Sequence, residues 1–233
     1  RLFDLELIRS LLIDSKLNQL CYQFVFKFSK DPIMITDVLL NVLKETEATL
    51  KYVKSLSVDD ILRVLVRFSK QLLYLSPNET NLLLIEVFTG KYRPSSYVSD
   101  INNVVNTKTG TKSEKNPVFY SYTAFLKYMN PLADASVSDA SENGDRLDVD
   151  RPTYHPPKPS LVFNALLSRP FEFVVFLEAC LESYKQFDGF KNDRQEILTT
   201  LYDLYLTLSK QDVGERKSEW TEKANLVLNE SNK

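Results

Sequence analysis

Ser57-Val-Asp-Asp-Ile-Leu-Arg-Val-Leu-Val-Arg-Phe-Ser-Lys-Gln-Leu-Leu-Tyr-Leu-Ser76-Pro-Asn-Glu-Thr-Asn-Leu-Leu-Leu-Ile-Glu-Val-Phe-Thr-Gly90 reads as two helices and the turn between them. Ser57 is a cap residue followed by acids in the first turn, where the helix dipole favours them. Ile61, Leu65, Phe68, Leu72 and Leu75 then recur at helical spacing. Ser76-Pro77-Asn78-Glu79 is a capping box with proline at the first helical position. Gly90 stands where a left-handed residue ends such a helix. A long amphipathic helix, a one-residue turn and a second helix predict a helical hairpin.

The same reading extends towards the N-terminus. Asp4 caps a helix with Leu5, Ile8, Leu11 and Leu12 on its face, and a second helix after Ser15 carries Leu17, Leu20, Cys21, Phe24 and Phe28 on one stripe. Asp31-Pro32 opens a third, with Ile35, Val38, Leu39 and Val42 facing inward, and Leu50, Val53 and Leu56 mark a shorter helix running to Leu56. Six helices in about 90 residues, joined by short connections, predict residues 1–90 as stacked antiparallel hairpins.

Composition changes between residues 91 and 160, where seven of the ten prolines fall. The stretches 106–115 and 132–150 have too little apolar surface to offset the entropy of ordering, and are expected to be mobile. Val118 to Met129, between them, is rich in aromatic and branched residues and reads as a short docked helix; the alternative, a strand, is favoured by Phe119-Tyr-Ser-Tyr122 and disfavoured by the absence of a second strand candidate. Helical pattern returns over 161–233. Pro170 opens a helix with Phe173, Phe176, Leu177, Cys180, Leu181 and Tyr184 inside. Asp193-Arg-Gln-Glu196 reads as an acidic cap box before Ile197, Leu201, Leu204, Tyr205 and Leu208. Gly214 precedes a last helix with Trp220, Ala224, Val227 and Leu228 on one face. The expected fold is all-α, with essentially no sheet and an irregular insertion.

Composition narrows the function. The chain has 233 residues, 43% apolar and 26% charged, with 29 basic against 31 acidic residues, so it lacks the basic footprint of a nucleic-acid binder. Its longest uncharged run, Asn116 to Leu126, is too short and too polar to span a bilayer. Five glycines leave no Gly-rich phosphate loop. Cys21, Cys180 and the single His155 cannot supply a zinc finger or a disulfide framework, and free buried cysteines fit a reducing compartment. His155 lies in the extended Tyr154-His-Pro-Pro-Lys-Pro159 and reads as a surface or packing residue. Asp59 and Asp60 are explained by the helix dipole, and Glu45 and Glu47 by solvation at a junction. No catalytic, metal-binding or cofactor-binding residue is expected, and no small-molecule substrate. The chain opens on Arg1 and reads as an internal fragment.

Several blocks occur together in a fixed order: Phe3-Asp-Leu-Glu6, Ala48-Thr-Leu-Lys-Tyr-Val-Lys-Ser-Leu56, Ser76 to Ile85 with Thr89-Gly-Lys-Tyr-Arg-Pro94, Pro156-Pro-Lys-Pro159, Arg169 to Glu178, and Ile197 to Leu204. This order resembles the C-terminal half of the α-solenoid in the subunit-eleven family of the class C vacuolar-protein-sorting core, shared by the HOPS and CORVET tethering complexes. The resemblance covers residues 3–95 and 152–230. It implies a clathrin-heavy-chain-like solenoid of helical hairpins and a scaffold role, cytoplasmic and peripheral on endosomal and vacuolar or lysosomal membranes. The partners it implies are other tethering subunits, including a Rab-binding one, with the membrane touched only through them. Family members also carry a β-propeller, a coiled coil and a RING zinc domain; two cysteines and one histidine exclude the RING from this chain. The long insertion suggests a fungal relative. Another coat-like or nuclear-pore-type repeat adaptor shares the fold and is the alternative.

The candidate partner surface is the last helix. Trp220, Val227 and Leu228 form a narrow stripe that serves either the core, packing on Tyr205 and Leu208, or a partner. Tyr205 belongs to the same candidate surface.

Overall fold

The computed structural model describes residues 4–95, 97–99, 104–106, 120–128 and 159–231. The expectations for His155, for 132–150 and for nearly all of 106–115 fall outside them. Among the described residues the fold is helical, with one short antiparallel hairpin. The chain divides into two compact units, Arg1–Leu83 with Tyr92–Asn116, and Leu84–Lys91 with Pro117–Lys233.

The first unit begins with α1 (Leu5–Asp14), capped by Asp4, whose carboxylate accepts from the amides of Glu6 and Leu7 at 3.1 and 3.2 Å. Next come α2 (Asn18–Phe28) and α3 (Pro32–Asp37), the latter opened by Pro32 and by an Asp31 carboxylate that accepts from Ile33 N at 3.1 Å. Helix α3 runs on into a π-helical turn, Val38–Val42, in which Leu43 N donates to Val38 O at 2.9 Å. That extra residue per turn rotates the inner face. Leu40 is buried and Val42 only half-buried, so the straight i, i+3, i+4 reading fails at its last member. Helix α4 (Thr46–Val53) ends three residues before Leu56. Tyr92 explains the early stop: its hydroxyl lies 2.8 Å from Leu56 O, 3.0 Å from Lys54 O and 3.4 Å from Val53 O, where it can donate to carbonyls that a helix end leaves without partners.

Helix α5 (Val58–Leu75) is the centre of this unit. Ser57 Oγ accepts from Asp60 N at 3.3 Å and donates to Asp60 Oδ2 at 3.0 Å, so the expected cap forms. Ile61, Val64, Leu65, Leu72 and Leu73 are almost wholly buried. A polar chain crosses the packing: Arg9 pairs with Asp37, Asn41 Nδ2 donates to Asp37 at 2.8 Å, and Gln71 Nε2 donates to Asn41 Oδ1 at 2.7 Å. Helix α6 (Pro77–Phe88), whose residues from Leu84 belong to the second unit, ends as the sequence predicts. Gly90 takes φ 70°, and Lys91 N closes back on Glu86 O at 2.9 Å. Strands β1 (Tyr97–Ser99) and β2 (Val104–Asn106) pair with Val98 opposite Val105. The hairpin lies in the stretch read as irregular, and among the described residues no sheet has more than two strands, as the all-α reading expects. The β-branched Val98, Val104 and Val105 supply three-residue strands too short for a periodicity test.

The second unit contains a π-helical turn (Tyr122–Lys127), α7 (Leu161–Leu167), α8 (Pro170–Tyr184), α9 (Lys191–Gln211) and α10 (Glu215–Ser231). Phe88 centres its aromatic core, edge-on to Phe176 at 5.6 Å and within 6 Å of Tyr120 and Phe125. Helices α8, α9 and α10 run antiparallel in sequence order. Lys185 at the end of α8 meets Arg194 near the start of α9, and Gln195 meets Ser231 at the end of α10.

Asp193 is not the cap of its own helix. Helix α9 starts two residues before it, and the buried Asp193 carboxylate accepts from Ser121 Oγ at 2.6 Å and Thr123 N at 2.7 Å. One turn on, Glu196 pairs with Lys127; one more, Thr200 Oγ1 lies 3.0 Å from Tyr122 Oη. The Asp193–Glu196–Thr200 face is therefore a seat for the 122–127 turn. A local pattern of acids before an apolar run cannot distinguish a cap from a seat, because the donors come from about 70 residues away in the chain.

Candidate partner-binding surface

Helices α8, α9 and α10 meet at one carboxylate. Glu178 Oε1, on α8, accepts from the Tyr205 hydroxyl of α9 at 2.7 Å and from Lys223 Nζ of α10 at 3.2 Å. Lys223 also stands over the rings of Trp220 and Tyr205, at 5.2 and 5.8 Å. Trp220 and Tyr205 stack with centroids 5.9 Å apart and planes 20° from parallel. Trp220 Nε1 donates to Asp212 Oδ2 at 2.8 Å, so its polar edge is satisfied by the turn before α10. Burial, then the Glu178 hydrogen bond, raises the Tyr205 hydroxyl well above the ordinary tyrosine value, which keeps it a donor.

The four residues that the sequence places on one candidate surface are divided. Trp220 is 7% exposed and Tyr205 is buried against it; Val227 is half-buried; Leu228 is 42% exposed. Leu226 and, beside Trp220, Phe171 are also exposed, the Phe171 ring lying edge-on at 6.5 Å. Sequence reasoning misses Glu178, Lys223, Asp212 and Phe171. A lone tryptophan needing an acceptor points to Asp212, eight residues earlier, but nothing local distinguishes Glu178 or Lys223 from ordinary surface charges.

This division has a measurable consequence. Trp220→Ala should cost about 3 kcal/mol through a lost stack and cavity. Leu228→Asp should stay within about 0.5 kcal/mol of the parent, as expected of an exposed position. Urea denaturation followed by circular dichroism checks both. Equal costs would contradict the assignment of Trp220 to the interior and Leu228 to the surface.

Of the other polar groups singled out in the sequence, those described are tied into a helix cap, buried or exposed. Asp60 is tied to Ser57, and its other oxygen lies 3.5 Å from Arg63; Asp59, Glu45 and Glu47 are exposed. Both cysteines are free and buried, and desolvation raises both thiols above their ordinary value, so neither is a poised thiolate. Among the described residues no group of three or more histidines, cysteines or acids could hold a metal ion, and no helix is long and apolar enough to cross a membrane.

Exposed apolar side chains of the first unit gather on α1 and α2. Helix α1 has no fully buried residue. Leu7, Leu11, Leu17, Leu20 and Phe28 are each about half-exposed. The expected stripe on α2 is displaced accordingly: Cys21, Tyr22 and Val25 form the buried face, while Leu17, Leu20 and Phe28 face outward and Phe24 is half-buried. Apolar residues at 20–22, 24–26 and 28 cover well over half of the helix circumference, which offers two possible inner faces, and packing selects one.

Comparison with models of known protein families, and with curated proteins, finds no match to this chain.

Proposed function

We propose that the chain is a non-enzymatic scaffold segment of a multisubunit membrane-tethering complex. In this reading its helical pairs are parts of a clathrin-repeat-like α-solenoid. They hold partner subunits, including a Rab-binding one, during docking and fusion of endosomal and vacuolar membranes. The observation that carries the scaffold reading is the half-exposed apolar face of the α1–α2 hairpin. Helical pairs in repeat arrays leave such a face for a neighbouring pair or a partner to cover. Buried, protonated thiols and carboxylates tied into helix packing agree with a role in binding rather than chemistry.

The choice of a tethering complex rests on the order of sequence blocks from Phe3 to Leu204. A coat-like or nuclear-pore-type adaptor would use the same architecture, so partner identity separates the two. The immobilised chain should capture purified subunits of the class C tethering core, and not clathrin or nuclear-pore scaffold proteins presented under the same conditions. Capture of the latter alone, or of neither set, would overturn the reading.

A further inference from the structure

Apart from its ends, where Asp59 and Leu75 are exposed, helix α5 is enclosed on all sides but one. From Ile61 to Tyr74, the only exposed residues are Arg63, Arg67, Lys70 and Tyr74, at positions i, i+4, i+7 and i+11. They form a single line about 16 Å long. Three of the four are basic, and Tyr74 at the end is 77% exposed.

Exposed bases such as Lys210 and Lys217 stand without an ion pair among the described residues, while Lys51 and Lys185 carry acids one helical turn away, Glu47 and Glu182. The line on α5 follows that pattern only at its first member. Arg63 lies 3.4 Å from Asp31 and 3.5 Å from Asp60. Among the described residues, Arg67 and Lys70 have no carboxylate within ion-pair distance. Like charges three and four residues apart on a helix repel and destabilise it. A glutamate at either position would relieve that repulsion, so the helix is less stable with these bases than with an alternating pattern.

We infer that the Arg63–Arg67–Lys70–Tyr74 line of α5 docks an acidic amphipathic helix of a partner protein. Carboxylates at i, i+4 and i+7 of such a helix match the basic spacing, and an apolar residue one turn further reaches the Tyr74 ring. Charge complementarity of this kind sets register and speeds encounter. A single row of three bases suits one helix better than a lipid surface, whose recognition uses clusters of about four to eight bases. The inference rests on the reading of the chain as a protein-binding scaffold, and adds the chemistry of one occupant.

The test uses the whole 233-residue chain and a fluorescein-labelled helical peptide with glutamates at i, i+4 and i+7 and leucine at i+11. A peptide with glutamines in their place is the control. At about 50 mM salt, where exposed charges are weakly screened, the glutamate peptide should bind saturably. Arg67→Glu and Lys70→Glu should each weaken it about tenfold, the worth of one charge pair. Neither variant should melt below the parent, since each removes a like-charge neighbour. Equal binding of the glutamine peptide, equal binding by the reversed-charge chains, or no binding by the parent would overturn the inference. So would binding of phosphatidylserine vesicles by a parent chain that ignores the peptide. If the peptide fails while tethering subunits are still captured, the α5 line is wrong and the scaffold reading stands. If the peptide binds and no subunit is captured, the reverse holds.

Discussion

Above about pH 10 the protein is expected to lose stability steeply, and the second unit more steeply than the first. Burial raises the hydroxyl of Tyr52 in the first unit, and those of Tyr122, Tyr184 and Tyr205 in the second, well above the ordinary tyrosine value. Each is a neutral group in the folded chain. Once the pH passes the unfolded value, about 10, the unfolded chain gives up protons that the folded chain keeps. A raised folded value thus contributes stability in full below pH 10, and that contribution is lost as the pH climbs towards the folded value. Each such tyrosine removes up to about 1.4 kcal/mol per pH unit. From these tyrosines alone the limit is about 4 kcal/mol per unit for the second unit and about 1.4 for the first, and the raised thiols of Cys180 and Cys21 add to each in the same direction. Trp220 is the one tryptophan and lies in the second unit, so its fluorescence reports that unit alone. Urea midpoints from fluorescence should fall faster between pH 10 and 11 than those from circular dichroism of the whole chain. Midpoints unchanged over that range would show that the four hydroxyls are not held neutral by the fold.

Tyr184→Ala should be among the most damaging single substitutions, at about 4 kcal/mol. Its ring is fully buried and stacks on Phe190 with centroids 4.5 Å apart. Its hydroxyl lies at hydrogen-bonding distance of two backbone carbonyls, those of Tyr120 and, at 3.3 Å, of Phe88. Phe88 closes α6, so its carbonyl has no acceptor role within that helix. Tyr184→Phe keeps the ring and removes the donor, and should cost about 1–2 kcal/mol. Denaturation of both variants, followed by Trp220 fluorescence, measures the split. A phenylalanine variant as unstable as the alanine one would transfer the whole effect from ring packing to the hydroxyl.

The parts of this fold that could be read from the sequence are those whose causes are local. The Asp4, Asp31 and Ser57 caps and the Gly90 stop are where they were expected, because a cap needs only its own side chain and the next three amides. The inner face of α5 is legible for the same reason as far as Leu72, since a strongly amphipathic helix has only one choice of face; Leu75, read as its last inward member, is 45% exposed where the helix ends. Where apolar residues cover more than one face of a helix, as on α2, the choice belongs to the neighbours and the pattern misleads. Asp193 shows the same limit for polar groups. Its sequence context suits a cap, and its partners are Ser121 and Thr123. At the candidate surface, Trp220 and Tyr205 stand out by residue type alone. Glu178 and Lys223, which tie three helices together there, do not.

The measurement that tests the proposed role most directly is a docking and fusion assay on isolated vacuoles with the purified chain added in excess. A scaffold segment that holds tethering subunits should titrate them away from the intact complex. Docking should then fall in a dose-dependent way and recover when those subunits are supplied. Undiminished docking at saturating amounts of folded chain would contradict the account.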